Sequence, residues 1–211
     1  MKKSSIREAR LYVIVDRAAL KGRDPVDVAA AAVRGGADVI QWRDKEASDE
    51  RFLEEALRLR EQTRRQNVLF VVNDRVDAAL QAGADAVHVG HEDLPVPEVR
   101  RRVGKKLLIG RSTHSLEEAL DAERQGADYI GVGPVFSTPT KPGYPAVGLE
   151  LVRQVKDRIK IPWVAIGGID LENAGLVSSA GAACVAVVRA VAAASDPEAA
   201  ARALKGKLLS S

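Results

Sequence analysis

The sequence has few cysteines and few aromatic residues, and each shortage excludes a class of protein. Cys184 is the single cysteine in 211 residues, which excludes an intrachain disulfide framework and a cysteine-based metal cluster. We therefore expect a protein of the reducing cytoplasm. Aromatic residues make up only 4% of the chain and are dispersed, so the stacking surface of a nucleic-acid-binding module is not expected.

Net charge and long apolar segments are also scarce. The 32 basic and 29 acidic residues leave a formal charge of +3 with no basic arm, which gives nucleic acid no electrostatic footprint. The apolar run that follows the charged amino terminus extends from Leu11 to Val15 and is stopped by Asp16. Because this run is too short for a signal peptide or a membrane span, we expect a soluble protein that is not exported.

Short apolar runs alternate with longer amphipathic, alanine-rich segments, a pattern typical of β-α units around a parallel sheet. The predicted strands are Leu11 to Asp16, Val39 to Lys45, Leu69 to Asp74, Ala86 to Gly90, Leu107 to Thr113, Tyr129 to Val135, Trp163 to Gly168 and Cys184 to Arg189. The predicted helices are Pro25 to Arg34, Asp49 to Gln66, Arg75 to Gln81, Val96 to Arg102, Leu116 to Arg124, Leu149 to Lys156, Leu171 to Ser179 and Pro197 to Lys205. Eight such pairs predict an α/β fold, a (β/α)8 TIM barrel formed by a single domain over residues 1–211, with an open doubly wound sheet as the alternative.

Local signals support the helix boundaries. Side-chain oxygens suited to N-caps precede four of the helices, at Ser48, Ser115, Asp170 and Asp196. A Gly-Ala-Asp type segment also recurs, beginning at Gly36, Gly83, Gly126 and Gly181. Each of these glycines is predicted to end a helix in the left-handed conformation and to turn the chain into an even-numbered strand.

Polar residues cluster at the carboxyl ends of the predicted strands, where barrel enzymes hold their chemistry. Gln41, Arg43 and Lys45 alternate along strand 2, so the pleat places them on one face as an anion site. The alternative is a solvated loop start in which the cations pair with Asp44 or Glu46. A second anion-binding element, Thr138-Pro-Thr140-Lys141, follows strand 6 and favours the functional interpretation.

Two carboxylates follow adjacent strands and suit a hard cation. Asp74 ends strand 3 and Asp93 follows strand 4, which fits a Mg²⁺ held by few protein oxygens, although either residue could instead be an N-cap. Zinc is not expected, because His88 and His91 have no third ligand at metal-binding spacing. We expect His88 to form hydrogen bonds at the mouth and His91 to lie on the surface. The pair Gly167-Gly168 offers bare backbone amides to a phosphate.

Taken together, the motifs resemble the thiamine-phosphate synthase family along nearly the whole chain. The residues that carry the resemblance are Gln41-Trp-Arg-Asp-Lys45, Asn73-Asp-Arg-Val-Asp77, the stretch Gly83 to Pro95, Gly133-Pro-Val-Phe-Ser-Thr-Pro-Thr-Lys141 and Ala165-Ile-Gly-Gly-Ile169. The resemblance implies a barrel that joins hydroxymethylpyrimidine diphosphate to a thiazole phosphate, releasing diphosphate and giving thiamine monophosphate.

The resemblance also implies roles for individual residues. The pyrimidine diphosphate would be bound by Gln41, Arg43, Lys45, Asn73, Ser112 and Lys141, of which Arg43, Lys45 and Lys141 would act in catalysis. Mg²⁺ would be bound by Asp74 and Asp93. The thiazole phosphate would be bound by Thr138, Thr140, Gly168, Val188 and Arg189. Arg189 departs from the family, which usually has serine at this position.

Two other functions stay open at this point. The related thiazole tautomerase family shares Arg111-Ser-x-His114-Ser-Leu-Glu-Glu118 and much of the carboxyl half, but it has a catalytic histidine where this chain has Pro134 and lacks the intact diphosphate cluster. A non-catalytic protein that binds a phosphometabolite is the third possibility. The partners expected in every case are small phosphorylated molecules, with neither nucleic acid nor membrane, and a homo-oligomer is compatible with the sequence.

Overall fold

The computed structural model describes residues 5–138 and 145–210, and the strands within them close into one parallel barrel. Each strand pairs with the next in chain order, and β8 pairs back onto β1, with Leu11 opposite Val185. The predicted barrel is confirmed. The open doubly wound sheet is wrong, because such a sheet has two unpaired edges and this one has none.

Strands and helices alternate along the described chain. The strands are β1 (Leu11–Asp16), β2 (Val39–Arg43), β3 (Leu69–Asn73), β4 (Ala86–Val89), β5 (Leu108–Thr113), β6 (Tyr129–Val132), β7 (Trp163–Ile166) and β8 (Val185–Val187). The helices are α1 (Pro25–Arg34), α2 (Asp49–Arg65), α3 (Val76–Gln81), α4 (Val96–Val103), α5 (Leu116–Arg124), α6 (Gly148–Arg158), α7 (Ala174–Ser179), α8 (Arg189–Ala192) and α9 (Pro197–Leu209). Within the described residues, no helix is long and apolar enough to cross a membrane.

Residues alternate along each strand between two apolar layers, as the period of two requires. On β1, Leu11, Val13 and Val15 pack against the surrounding helices, whereas Tyr12 and Ile14 fill the inside of the barrel. Every residue of β1 is buried, and the strand is accordingly a continuous apolar run in the sequence up to its last residue, Asp16. This inner layer lies directly beneath the residues at the carboxyl ends of the strands.

Several predicted strands extend too far at the carboxyl end. The structure ends β2 at Arg43, β3 at Asn73, β6 at Val132 and β7 at Ile166. β8 ends at Val187, and Arg189, predicted to be the last residue of this strand, instead opens the short helix α8. At each of these points the chain leaves the ladder and forms the rim of the barrel.

The predicted helix starts are accurate where a cap determines them, whereas α9 continues four residues beyond its predicted end at Lys205. Ser48, Ser115 and Asp196 each accept a backbone N–H of the following first turn. Asp170 accepts the amides of Glu172 and Asn173, but it caps a turn, and α7 begins only at Ala174. The four glycines of the repeated segment all have positive φ, between 61° and 117°, as predicted.

The aspartate of the repeated segment secures the amino-terminal end of the barrel. Asp38 precedes β2, and its Oδ2 accepts the amides of Arg10 and Leu11 at 2.8 and 2.9 Å and contacts the ammonium of Lys205 on α9. Asp128 does the same before β6 for the amide of Ile109, with a guanidinium from α4 as its cation. The repeated motif is therefore structural, at the end of the barrel opposite the polar rim.

Candidate active site

A cavity of about 590 Å³ opens at the carboxyl ends of the strands. Most of the predicted site residues that the structure describes line it, namely Gln41, Arg43, Asn73, Ser112, Thr138, Gly168, Val188 and Arg189. These residues come from six different strands or the loops that follow them. Thr140 and Lys141 lie outside the described residues.

β2 sends alternate side chains into this cavity. Gln41 is buried, and its Nε2 donates to the hydroxyl of Tyr12 at 2.6 Å. Arg43 is half-buried and forms an ion pair with Asp16 at the end of β1, rather than with Asp44 or Glu46. Trp42, between them, faces the helices, where it packs against the ring of Phe52. The shared face predicted for Gln41 and Arg43 is therefore present.

Lys45 lies beyond the end of β2 and extends to the neighbouring strand, where its ammonium contacts the carboxylate of Asp74. Asp74 has a left-handed backbone, with φ 59°, and its amide donates to the carbonyl of His88 at 2.8 Å. Non-glycine residues adopt this conformation uncommonly, and the hydrogen bond to β4 holds it here. The strand ends of β2, β3 and β4 are thereby linked beside the cavity, although Lys45, Asp74 and Asp93 are not among the residues that line it.

Asp74 and Asp93 are hydrogen-bonded to each other, and their pKa values move in opposite directions. Burial and the neighbouring Asp93 raise the pKa of Asp74, against the opposing effect of Lys45. Burial acts to raise the pKa of Asp93 as well, but hydrogen bonds from Asp74 and from the amide of Gly90 hold it below its usual range. Two carboxylates this close repel each other when both are charged, which marks a position suited to a cation.

The donor set at this position suits magnesium better than a softer metal. Within residues 5–138 and 145–210, no three His, Cys, Asp or Glu side chains come together as a complete metal site. Two adjacent carboxylates at the rim match Mg²⁺, which is usually held by one or two carboxylates and completes its shell with waters and substrate phosphates. Asp74 and Asp93 are the residues that could hold it.

The opposite part of the cavity is formed by the loops after β6, β7 and β8. Gly167 and Gly168 have φ of 102° and 64°, and a side chain at Gly168 would collide with the carbonyl of Ser137 and the Cβ of Phe136. These glycines therefore have a packing reason in addition to any phosphate contact. The loop after β6 lies directly on them and brings Thr138 to the cavity.

Arg189 adds a cation to the predicted phosphate pocket, and no described residue pairs with it. Its side chain is exposed and has no hydrogen bond or ion pair with any residue that the structure describes. It lines the main cavity and also an adjoining one of about 240 Å³, together with Arg43 and Lys21. Its guanidinium therefore lies at the junction of the two cavities.

The prediction from sequence missed two tyrosines on the cavity floor. Tyr12 and Tyr129 are almost completely buried, and their hydroxyls lie 3.2 Å apart. Tyr129 also contacts His88, whose other ring nitrogen contacts Ser112, so His88 forms hydrogen bonds as predicted, but on the floor of the cavity rather than at its mouth. His91 is exposed, as predicted. The signal for the tyrosines was available, because both occupy inward positions of apolar strands.

The comparisons with known proteins agree with this geometry. A family model described as thiamine monophosphate synthase matches residues 11–191. The chain belongs to the thiamine monophosphate synthase family. The thiamine-phosphate synthase of Chloroflexus aurantiacus is 53% identical over 93% of this chain and 91% of its own length, and that of Shouchella clausii is 47% identical over 92% and 94%.

Solved structures give the same family and the same barrel. A thiamine phosphate pyrophosphorylase from Pyrococcus furiosus superimposes with a TM-score of 0.89, at 41% identity, covering 97% of this chain and 98% of that one. A 3-hexulose-6-phosphate synthase has a TM-score of 0.68, at 17% identity, over 94% of this chain and 99% of its own. The second likeness shows the fold alone, whereas the first lies within the thiamine monophosphate synthase family.

Proposed function

We propose that this chain joins hydroxymethylpyrimidine diphosphate to a thiazole phosphate, giving thiamine monophosphate and releasing diphosphate. The observation that carries the proposal is that one cavity is lined at two separate places by groups that could bind an anion. Gln41, Arg43 and Asn73 line it from β2 and β3, and Gly168, Val188 and Arg189 line it from the ends of β7 and β8. A single cavity with two such places suits two phosphorylated substrates that react with each other.

The pyrimidine diphosphate takes the β2 and β3 end. Arg43 and Lys45 each already have a carboxylate partner, Asp16 and Asp74, so both cations are held in position before the substrate binds. Asn73 adds an amide at the end of β3, and Lys141 is expected to add a third cation. Holding such groups in place beforehand favours charge that develops during the reaction.

The reaction is a dissociative substitution. The bond between the pyrimidine methylene carbon and the diphosphate oxygen breaks first, and diphosphate leaves with the electron pair. The electron-rich aminopyrimidine delocalises the resulting methylene cation. The lone pair of the thiazole nitrogen then forms the new carbon–nitrogen bond, so no nucleophilic side chain is needed.

Stabilising the leaving group is the protein's main contribution. A cation about 4 Å from a departing negative charge contributes roughly 4 kcal/mol of gross Coulomb energy at an effective dielectric constant of about 20. Arg43, Lys45 and Lys141 together therefore supply part of the ~8–23 kcal/mol by which enzymes lower barriers. Screening, desolvation and the carboxylates that already pair with Arg43 and Lys45 reduce the sum. When bound by Asp74 and Asp93, Mg²⁺ would neutralise further charge on the diphosphate.

The thiazole phosphate takes the other end. Gly168 and the backbone at Val188 offer amides, Arg189 offers a full positive charge, and Thr138 and Thr140 are placed by the proposal at the thiazole carboxylate. Because Arg189 has no partner among the described residues, binding a phosphate would cost it no existing ion pair. The tautomerase alternative is disfavoured by Pro134, which lines the cavity without a group that could transfer a proton.

The test is a coupled product assay. The purified protein is incubated with both substrates, with Mg²⁺ or with excess EDTA, and diphosphate and thiamine monophosphate are measured together. We expect equal amounts of the two products, formed only when both substrates and the metal are present. Isomerisation of a carboxythiazole phosphate without diphosphate release would establish the tautomerase instead, and binding without turnover would establish the phosphometabolite-binding protein.

A further inference from the structure

A continuous chain of hydrogen bonds crosses the floor of the cavity. It runs from Gln41 Nε2 to the Tyr12 hydroxyl at 2.6 Å and from there to the Tyr129 hydroxyl at 3.2 Å. Tyr129 contacts His88 Nδ1 at 3.1 Å, and His88 Nε2 contacts Ser112 Oγ at 3.0 Å. We call Tyr12, Tyr129 and His88 the interior relay. Its two ends, Gln41 and Ser112, are the residues placed at the pyrimidine.

The barrel leaves room for this relay at one position of β5. A Cβ on Gly110 would lie 2.3 Å from the ring of Tyr129 and 2.4 Å from His88 Nδ1. Any side chain at Gly110 would therefore occupy the point where the two rings meet. Burial also raises the pKa of Tyr12 and of Tyr129, so both hydroxyls keep their protons.

The relay has a direction that follows from its first donor. Gln41 Nε2 can only donate, so the Tyr12 oxygen accepts from it and the Tyr12 hydroxyl donates onward to Tyr129. Tyr129 then donates to His88 Nδ1, which requires the proton of the neutral imidazole to be on Nε2. That proton is donated to Ser112 Oγ.

The two ends of the relay consequently present opposite groups to the cavity. Ser112 accepts from His88, which leaves its own hydroxyl proton to donate. Gln41 donates one N–H of its amide to Tyr12, and its Oε1 is an acceptor with no partner among the described residues. The Ser112 hydroxyl is thus a donor and Gln41 Oε1 is an acceptor, and the order of the two is determined by buried groups rather than by solvent.

We propose that the interior relay selects an aminopyrimidine over the corresponding oxopyrimidine, a role that rests on the proposed function. An aminopyrimidine offers an acceptor ring nitrogen beside a donor amino group, which complements Ser112 and Gln41. An oxopyrimidine in its lactam form offers the reverse, a donor ring N–H beside an acceptor oxygen. Binding it would leave two buried groups mismatched or would require the whole relay to reverse. Tyr12, Tyr129 and His88 are positioning residues in this scheme.

The test compares turnover of the aminopyrimidine diphosphate with turnover of its oxopyrimidine counterpart at saturating thiazole phosphate. We expect wild-type protein to prefer the amino compound by at least about 100-fold in kcat/KM, as sites built around hydrogen-bonding groups do. Tyr129→Phe removes the link between Tyr12 and His88, so the preference should fall by about tenfold, through a better KM for the oxo compound. Tyr12→Phe is the second variant and should act in the same direction.

A packing control separates this effect from general damage. Cys184 is buried in the same inner layer as both tyrosines, and Cys184→Ala should leave the preference unchanged. The relay itself is read without substrate, from the nitrogen chemical shifts of His88 by NMR. We expect the Nε2–H tautomer in wild-type protein and a mixture of tautomers in Tyr129→Phe.

Two failures are distinguishable in these data. A wild-type preference that persists unchanged in folded Tyr129→Phe and Tyr12→Phe, or an Nδ1–H tautomer in wild-type protein, would overturn the relay while leaving the synthase activity in place. If wild-type protein forms no coupled product from either substrate, neither thiamine monophosphate from the aminopyrimidine nor its oxo analogue from the oxopyrimidine, both the proposed function and the selection built on it are overturned, whatever tautomer His88 shows.

Discussion

Arg60 on α2 and Asp85 before β4 meet through two hydrogen bonds, Nη1 to Oδ2 at 2.9 Å and Nη2 to Oδ1 at 3.2 Å. The same Oδ2 accepts the amide of Phe70 at 3.0 Å. One buried carboxylate therefore ties a helix to the starts of two strands. Asp38 and Asp128 repeat the arrangement, and all three lie at the end of the barrel away from the rim.

Replacing Asp85 with alanine should destabilise the fold without altering the chemistry. The change leaves a largely buried guanidinium and a strand amide without their acceptor, and we expect the free energy of unfolding to fall by about 2–4 kcal/mol. Urea denaturation followed by circular dichroism measures the loss. Asp85→Asn keeps an acceptor for Phe70 and should recover part of it. A large loss of kcat in the folded variant would contradict a purely structural role.

The fourth repeated segment has alanine, Ala183, where the other three have aspartate. A strand amide and a lysine nevertheless lie where the partners of an aspartate would be. The register of Ala165 with Val185 places Ala183 opposite the amide of Trp163. The stem of Lys156 packs over Gly181, as that of Lys205 packs over Gly36. Ala183→Asp should therefore stabilise the protein by about 1 kcal/mol, which corresponds to a rise in Tm of roughly 2–4 °C.

Scanning calorimetry of Ala183→Asp and Ala183→Asn checks this prediction. The asparagine variant offers the hydrogen-bond acceptor without the charge and should gain less than the aspartate variant. A Tm for Ala183→Asp at or below the wild-type value would show that the fourth repeat does not reproduce the geometry of the other three.

Asp74→Ala should reduce turnover by at least about 100-fold, because the pair of carboxylates proposed to hold Mg²⁺ loses one member. Binding of thiazole phosphate, measured by calorimetry, should change little, since Asp74 does not line that end of the cavity. Asp157, an exposed carboxylate on α6, provides the matched control. Wild-type dependence of the rate on Mg²⁺ concentration in Asp74→Ala would remove this residue from the metal site.

Arg189→Ser should weaken thiazole phosphate about tenfold and pyrimidine diphosphate much less, because the lost guanidinium lies at the phosphate end. Kinetics with each substrate varied in turn give the two KM values. Arg189→Lys keeps the charge and should lie between wild type and the serine variant. Equal losses for both substrates would place Arg189 outside the thiazole phosphate pocket.

The fold was largely predictable because its signals are local. Apolar runs gave the strands, and caps such as Ser48 and Asp196 gave helix starts to within a residue. The ends of strands were less accurate, since whether Arg189 continues β8 or opens α8 depends on where the sheet stops pairing rather than on the residue itself.

The residues that form the site were largely predictable from the sequence, but the contacts between them were not. Alternation placed Gln41 and Arg43 on one face, but the partner of Arg43 is Asp16, which lies far away in the sequence. The Tyr12 to Tyr129 contact joins β1 to β6 across the barrel interior, and no pattern within either strand encodes it. Such contacts follow from closure of the sheet, which a linear sequence expresses only indirectly.

The contact between Asp38 and Lys205 joins residues much farther apart in the sequence than the equivalent contacts of Asp85 and Asp128 do. Arg60 and Asp85 belong to a continuous stretch of chain, whereas Lys205 comes from the last helix and Asp38 from the second β-α unit. The ion pair between Asp38 and Lys205 therefore holds the last helix against the second β-α unit. A circular permutant that begins between β2 and α2 would turn it into a local contact while keeping the Arg60 to Asp85 clamp local as well.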